Sequence, residues 1–307
     1  MTDLLIVLAL AFAWSMGAHY TGAVMGMPHA LQAIGAWRAL LLMAPLTFLG
    51  ATLASHAVER RVGSGLTAAD LSVTEQVVVI GTAFAVTTAY NRLKVPTSTI
   101  QILVFSVVGT ALGSGIGVRW ASIFHLLVVW AAAPLGALVL GAALTVALDH
   151  LRLANRIGAA LVVVGAVAAF AMGANDVSNA SGALLGTGTF SPLVAGAVGG
   201  VGLALGVLTW GKPLLRRVAF EIVEVDRAMA TAAQLVQAAV VLGAVAFGFF
   251  TSMNQALVAA MAGAGFARGR EAVHAETLLG IVQGWLLGPA GGLAIAYVGE
   301  RIAAVAT

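Results

Sequence analysis

The chain is cut into ten stretches that contain no Asp, Glu, Lys or Arg, at about 4–37, 39–58, 76–91, 95–118, 120–148, 157–175, 177–211, 228–250, 251–267 and 277–299. Several exceed the roughly 20 apolar residues needed to cross a bilayer. Short charged segments separate them: Glu59-Arg60-Arg61, Arg92-Leu93-Lys94, Asp149 to Arg156, Lys212 to Arg227, and Arg268 to Glu276. Only 9% of the residues are charged, against about 25% in soluble domains. In lipid, backbone polar groups must be satisfied within helices or a closed barrel. A barrel would need short strands of alternating polarity, a pattern the sequence lacks. The expected fold is therefore an all-α polytopic membrane protein, with no soluble domain or linker. The first stretch is too long for one span and is expected to break at Gly17–Pro28. Residues 4–13 have the length of a signal-peptide core but no basic segment before them, so they are assigned to a retained first helix.

The two halves resemble each other. Met16-Gly17-Ala18 recurs as Met172-Gly173-Ala174, Thr97-Ser98-x-x-Gln101 as Thr251-Ser252-x-x-Gln255, and Trp130-x-x-x-Pro134-x-Gly136 as Trp285-x-x-x-Pro289-x-Gly291. Three matches in one order, at offsets of 154 to 156, indicate an internal repeat. The halves are expected at residues 1–150 and 151–307, with about five membrane segments each. An odd number turns the second half upside down, as in many secondary transporters.

Charge sets the orientation. With ten crossings, one side receives Arg38, Arg92, Lys94, Arg152, Arg156, Lys212, Arg216, Arg217, Arg227, Arg268 and Arg270, and the other Arg60, Arg61, Arg119 and Arg301. The eleven-to-four bias makes the first side cytoplasmic and places both termini outside a cell membrane. The basic residues sit in short loops, so no nucleic-acid partner is implied. The chain has no cysteine, hence no disulfide.

Polar groups interrupt the apolar stretches at four related places: Gly17–Gly22, Pro96–Gln101, Gly173–Gly182 and Thr251–Gln255. Asp176 stands within a few residues of Asn175, Ser178, Asn179 and Ser181. Polar residues at membrane depth are costly and mark sites or ion paths. Broken helices expose N–H groups at half-helix N-termini, where the dipole favours an anion. Hydroxyl and carboxamide groups at Thr97, Ser98, Thr99, Gln101, Asn175, Asn179, Ser181, Thr251, Ser252, Asn254 and Gln255 could bind an oxyanion without added charge. Asp176 would repel one unless a cation or a proton accompanies it. His19 and Tyr20 occupy the places equivalent to Asn175 and Asp176. They are weighed both as cation-coupling residues and as packing residues. Ser and Thr in membrane helices also bond the carbonyl one turn back, a purely structural alternative for the hydroxyls.

Gly173-Ala174-Asn175-Asp176-Val177-Ser178-Asn179-Ala180 resembles the signature of the inorganic phosphate transporter (PiT) family. Pro96-Thr97-Ser98-Thr99-Ile100-Gln101 resembles its second motif. The resemblance extends over nearly the whole chain. It implies inverted repeats with the anion and cation sites formed by these signatures, Asn175, Asp176 and Asn179 facing Thr97, Ser98 and Thr99. Two departures stand out: Gly17-Ala18-His19-Tyr20 replaces a first-repeat Gly-x-Asn-Asp, and Ser252-Met253-Asn254 replaces Ser-Thr-Thr. The degenerate first signature is similar to the sulfate-permease branch of that family.

The resulting expectation is a permease for a small inorganic oxyanion, phosphate first and sulfate as the alternative. Co-transported H⁺ or Na⁺ would drive it, without an organic cofactor or a resident metal. A homo-oligomer is neither required nor excluded. An intramembrane enzyme is the rival class. It would need a nucleophile and base, or clustered His and carboxylates, and the sequence places one acid inside its apolar stretches.

Overall fold

The computed structural model describes residues 1–56, 58, 65–150, 157–186, 188, 190–215, 225–269 and 274–306. Glu59-Arg60-Arg61 and the basic residues Arg152, Arg156, Arg216, Arg217 and Arg270 lie outside the described residues. Those described are almost entirely helical, the sole β-type pairing among them being an isolated bridge between Thr67 and Val118.

The first half contributes α1 (Thr2–Ala30), α2 (Ala36–Ala54), α3 (Val73–Leu93), α4 (Thr99–Ser114) and α5 (Trp120–His150). The second contributes α6 (Ile157–Asp176), α7 (Ser178–Gly186), α8 (Pro192–Trp210), a single 3₁₀ turn at Lys212–Leu214, α9 (Arg227–Ala246), α10 (Met253–Arg268) and α11 (Ala275–Ala306). Counting α6 and α7 as one segment, eight helices among the described residues are long and apolar enough to cross a membrane. Side-chain caps start several of them. Ser72 forms a capping box with Glu75, and Asp226 accepts from the N–H groups of Ala228 and Met229. These bonds satisfy donors that a helix N-terminus otherwise leaves open.

With α6 and α7 taken together, each half has five segments in matching order, and the two run in opposite directions. Gly165 of α6 lies against Met25 and Pro28 near the end of α1, whereas Asn179 of α7 reaches back to Met16. Thus α1 and its counterpart are antiparallel, as the inverted repeat requires.

The most extensive helix packings join one half to the other: α4 on α11, α5 on α10, α2 on α6 and α1 on α8. Glycines at repeat-related positions make them close. A Cβ on Gly17 would overlap the carbonyl oxygen of Leu203, and one on Gly173 that of Thr47. Gly50 and Gly206 meet the carbonyls of Phe170 and Trp14 in the same way, as do Gly109 and Gly263 those of Leu293 and Leu138. Small residues of this kind let membrane helices approach backbone to backbone.

Two features differ from the sequence expectation. First, α1 is continuous through Gly17–Gly22, and Pro28 falls in its last turn. The long first stretch is divided instead at residues 31–35, where Gln32 has φ 59°. Gly17 serves interhelical contact, and the Thr21 hydroxyl bonds the Gly17 carbonyl at 2.8 Å, so nothing frees the backbone. Second, the ten segments are present, but α3–α4 and α9–α10 are hairpins that turn at depth. Gly81 of α3 lies near Leu8, and Asn91 near His19, so α3 runs parallel to α1. Gly284 packs on Tyr90 and Val95, and Gly299 on Val78, so α3 runs antiparallel to α11. Thr97 meets Gly288 and Gly113 meets Glu300, so α4 returns parallel to α11. The tip at Val95–Pro96 lies beside Gly284, nine residues into α11. At ~1.5 Å per residue it stops about 14 Å short of that helix's start. Each half therefore holds three single segments and one hairpin, and the halves run in opposite directions, as the antiparallel packing of α1 and α6–α7 shows.

Candidate functional site

The two hairpin tips enter from opposite faces and meet in the middle. Ser98 and Ser252 are the N-caps of α4 and α10, and their hydroxyl oxygens accept from the N–H of Gln101 and Gln255. Both cap residues are themselves extended, so the chain turns into each helix directly after them. Gln101 and Gln255 then pair: each Nε2 donates to the other's Oε1, at 3.3 and 3.0 Å. Two helix N-termini thus face one another, with the N–H groups of Thr99, Ile100, Met253 and Asn254 ahead of the first intrahelical bonds. Such groups favour anions.

The third and fourth walls come from α1 and the α6–α7 joint. Helix α6 ends at Asp176 and α7 begins at Ser178, so the signature segment breaks at the single residue Val177. Asn175 bridges to the second tip, accepting from Thr251 N–H at 3.1 Å and donating to the Thr251 carbonyl at 2.8 Å. Asn179 donates to the Thr99 hydroxyl at 3.3 Å, and Tyr20 shares a 2.8 Å hydrogen bond with the same hydroxyl.

His19 ties both tips to α1. The Asn91 amide donates to the Ser15 carbonyl at 2.8 Å and to its hydroxyl at 3.0 Å. Its Oδ1 therefore faces His19 Nδ1 at 2.5 Å, and Nδ1 must donate. The lone pair on Nε2 accepts from the Asn254 amide at 3.1 Å and from Thr97 N–H at 3.3 Å. The second amide hydrogen of Asn254 goes to the Thr97 carbonyl at 2.7 Å. Nε2 also lies 3.1 Å from the Thr97 carbonyl, a contact it makes as a donor when protonated, so the network assigns the proton on Nδ1 and offers Nε2 both donors and an acceptor.

All fourteen residues singled out in the sequence are buried, and the hydrogen bonds above draw most of them into one cluster. Several have less freedom than the sequence implies. The Thr97 hydroxyl is engaged with the Gly284 carbonyl at 3.3 Å. Ser181 bonds the Val177 carbonyl one turn back at 3.0 Å, the structural alternative. Gln101 and Gln255 largely satisfy each other.

Asp176 is 0% exposed, and neither carboxylate oxygen has a hydrogen-bond partner among the described residues. Tyr20 and Asn175 stand beside it, yet neither meets hydrogen-bond geometry. The Oδ1 atoms of Asn179 and Asn254 are also unpartnered, as are the Oε1 atoms of Gln234 and Gln237. These orphans are acceptors, and a buried acceptor without a donor is costly. The set suits a cation, or a proton carried in.

Sequence reasoning passed over Asn91, Gln234 and Gln237. Gln237 donates to the Met253 carbonyl at 3.3 Å, in the first turn of α10, and Gln234 donates to the Val24 carbonyl on α1. Two carboxamides three apart in an Ala-rich helix share a face, and that signal was present. Asn91 closes the charge-free stretch 76–91 beside Arg92, where a single carboxamide at a stretch end carries no distinct signal.

Openings approach the cluster from both ends. One is lined by Leu66, Thr67, Gln76 and Ile80 and reaches Asn179. The other is lined by Asn91, Lys94, Pro96 and Leu214 and reaches His19.

Comparison with known proteins agrees with this architecture. The chain is 26% identical over 308 residues to the sulfate permease CysP of Bacillus subtilis (strain 168), covering 95% of this chain and 85% of that protein. It is 37% identical over 131 residues to the chloroplastic inorganic phosphate transporter 2-1 of Arabidopsis thaliana, but this covers only 38% of the chain and 22% of that protein. The fold matches a solved structure titled "The sodium-dependent phosphate transporter" with a TM-score of 0.88, at 21% identity and 99% coverage of both chains. The signature of the family described as "Phosphate transporter family" matches twice, over residues 16–160 and 154–296. Matched once by each half and together along nearly its whole length, the chain belongs to the phosphate transporter family.

Proposed function

We propose that the protein is a secondary active transporter that carries inorganic phosphate across the cytoplasmic (inner) membrane, coupled to a co-transported cation. Residues 1–150 and 151–307 are its two inverted halves, and both termini lie outside. The observation that carries this reading is the opposed first turns of α4 and α10 beside Asp176, a buried carboxylate without a partner. The helix ends and the Ser98 and Ser252 hydroxyls supply donors to a tetrahedral oxyanion, and the carboxylate supplies the need for a positive charge. Phosphate keeps an ionisable proton at neutral pH, which Asp176 can accept. The openings to Asn179 and to His19 are the two approaches that rocking of the halves would open in turn.

One observation favours a second reading, a proton-coupled sulfate permease. His19-Tyr20 stands where the second repeat has Asn175-Asp176, and a relative matched over 95% of this chain and 85% of its own length is named a sulfate permease. An enzyme is the less favoured reading, because the family matched by both halves is described as one of transporters. No cofactor is needed by either reading, and neither requires a homo-oligomer.

The test is uptake of labelled phosphate into proteoliposomes, with unlabelled sulfate as competitor. Phosphate uptake that excess sulfate leaves within twofold supports the first reading. Strong inhibition by sulfate with slow phosphate entry supports the second. Asp176→Asn should abolish concentrative uptake, and accumulation unchanged in that variant removes Asp176 from coupling.

A further inference from the structure

The repeat allows each half of the site to be compared with its own counterpart. In the second half, Asp176 and Asn179 lie three positions apart across the Val177 break and present three unpartnered oxygens: both carboxylate oxygens and the Asn179 Oδ1. Both residues are at least 99% buried. At the same offset, the first half has Tyr20 and Ala23. Ala23 has no polar atom, and the Tyr20 oxygen is already bonded to Thr99 at 2.8 Å. His19, the counterpart of Asn175, has both ring nitrogens occupied. This first-half pair leaves no side-chain oxygen unpartnered and includes no second carboxylate to receive a proton; the unpartnered oxygens of Gln76 and Thr87 belong to α3.

We infer that the transporter binds one cation or proton per anion, held by Asp176 and Asn179 of the second half, and that His19 and Tyr20 fill the equivalent place in the first half. This rests on the transport reading above. The buried asymmetry fixes the charge moved. One positive charge cancels a monoanion, so that cycle is electrically silent. With a dianion, one negative charge is carried inward per cycle, and an inside-negative potential opposes uptake. Restoring a carboxylate at position 20 should recreate the second place. Tyr20 is fully buried, next to the Thr99 hydroxyl and beside Asp176, so an Asp there would meet a donor and would add a second buried carboxylate close to the first, a charge that a second cation offsets.

The experiment measures coupled fluxes in proteoliposomes with the membrane potential set by potassium and valinomycin. Initial uptake of labelled phosphate or sulfate is recorded together with labelled sodium and internal pH. The expected result is a ratio of one sodium ion or one proton per anion, with a Hill coefficient of about one for the coupling ion. Tyr20→Asp should raise the ratio and the Hill coefficient toward two, and Tyr20→Phe should leave both at one. A ratio of two in the unmodified protein overturns the inference. So does a coupling ion still taken up one per anion in Asp176→Asn. If Tyr20→Asp fails to fold, the unmodified protein and Tyr20→Phe still decide. Folded protein that takes up neither anion refutes the transport reading itself, a result distinct from a ratio of two.

Discussion

Gln101 and Gln255, 154 positions apart, exchange two carboxamide hydrogen bonds and lock the first turns of α4 and α10 together. Each hairpin enters from a different face of the membrane, so this pair is the joint between the halves.

Truncating one member leaves the other's carboxamide buried and unpaired, which costs about 1–3 kcal/mol. Gln101→Leu and Gln255→Leu should each lower stability by that amount. The double variant should cost clearly less than the sum of the two, because no orphan remains. Thermal unfolding in detergent of all four proteins completes the cycle. Additive losses would mean that the two side chains do not act as a pair.

Topology can be read without removing native thiols, since the chain has none. Ala69, before α3, and Ala267, near the end of α10, are both exposed. A cysteine at position 69 should react with an impermeant maleimide from outside, and one at position 267 only from the cytoplasmic side. Labelling of both from one side would contradict the opposed hairpins.

Close backbone contact makes some glycines irreplaceable. Gly263→Ala would drive a methyl into the Leu138 carbonyl, and overpacking of that kind costs about 1–3 kcal/mol. Gly291→Ala faces open space and should be neutral to within a few tenths of a kcal/mol. Melting temperatures of the two purified variants compare the sites directly. Equal loss at both would point to backbone flexibility instead of contact.

His19 is expected to act as a latch between the tips and not as the carrier of the coupling proton. Its Nδ1 donates to Asn91, and its Nε2 accepts from the Asn254 amide. His19→Gln should slow uptake but keep the shape of the pH profile between about pH 5.5 and 8. His19→Ala, which frees both tips, should slow it further. A profile flattened by Gln alone would assign the coupling proton to this ring.

The fold was legible in the sequence where polarity changes abruptly. The charge-free stretches locate ten segments, and the recurrence of Met-Gly-Ala, Thr-Ser and Trp-Pro-Gly pairs the halves. The break near Asp176 was legible too, because two carboxamides and an acid cannot all be satisfied by a straight helix in lipid. Less legible was how deep each segment goes. Residues 228–267 carry no charge, and composition alone does not distinguish a hairpin from two crossings. Gly17 misled for a related reason: glycine serves a broken helix and a close-packed one equally, and the deciding contact, Leu203, is 186 positions away. The same distance problem hid the Gln101–Gln255 pair, whose members were both singled out, though as ligands and not as partners.

The exchange of packing faces between halves has a consequence for biosynthesis. Helices α1, α2, α4 and α5 find their most extensive contacts on α8, α6, α11 and α10, all made later by the ribosome. At about 5–20 residues per second, a lag of roughly 155 residues is a wait of about 8 to 30 s. During that interval the nascent first half sits in lipid with its glycine grooves and the polar tip of α4 uncovered. The early helices therefore close in the order in which their partners emerge, α2 on α6 first and α4 on α11 last, and the insertion machinery must shelter them until then.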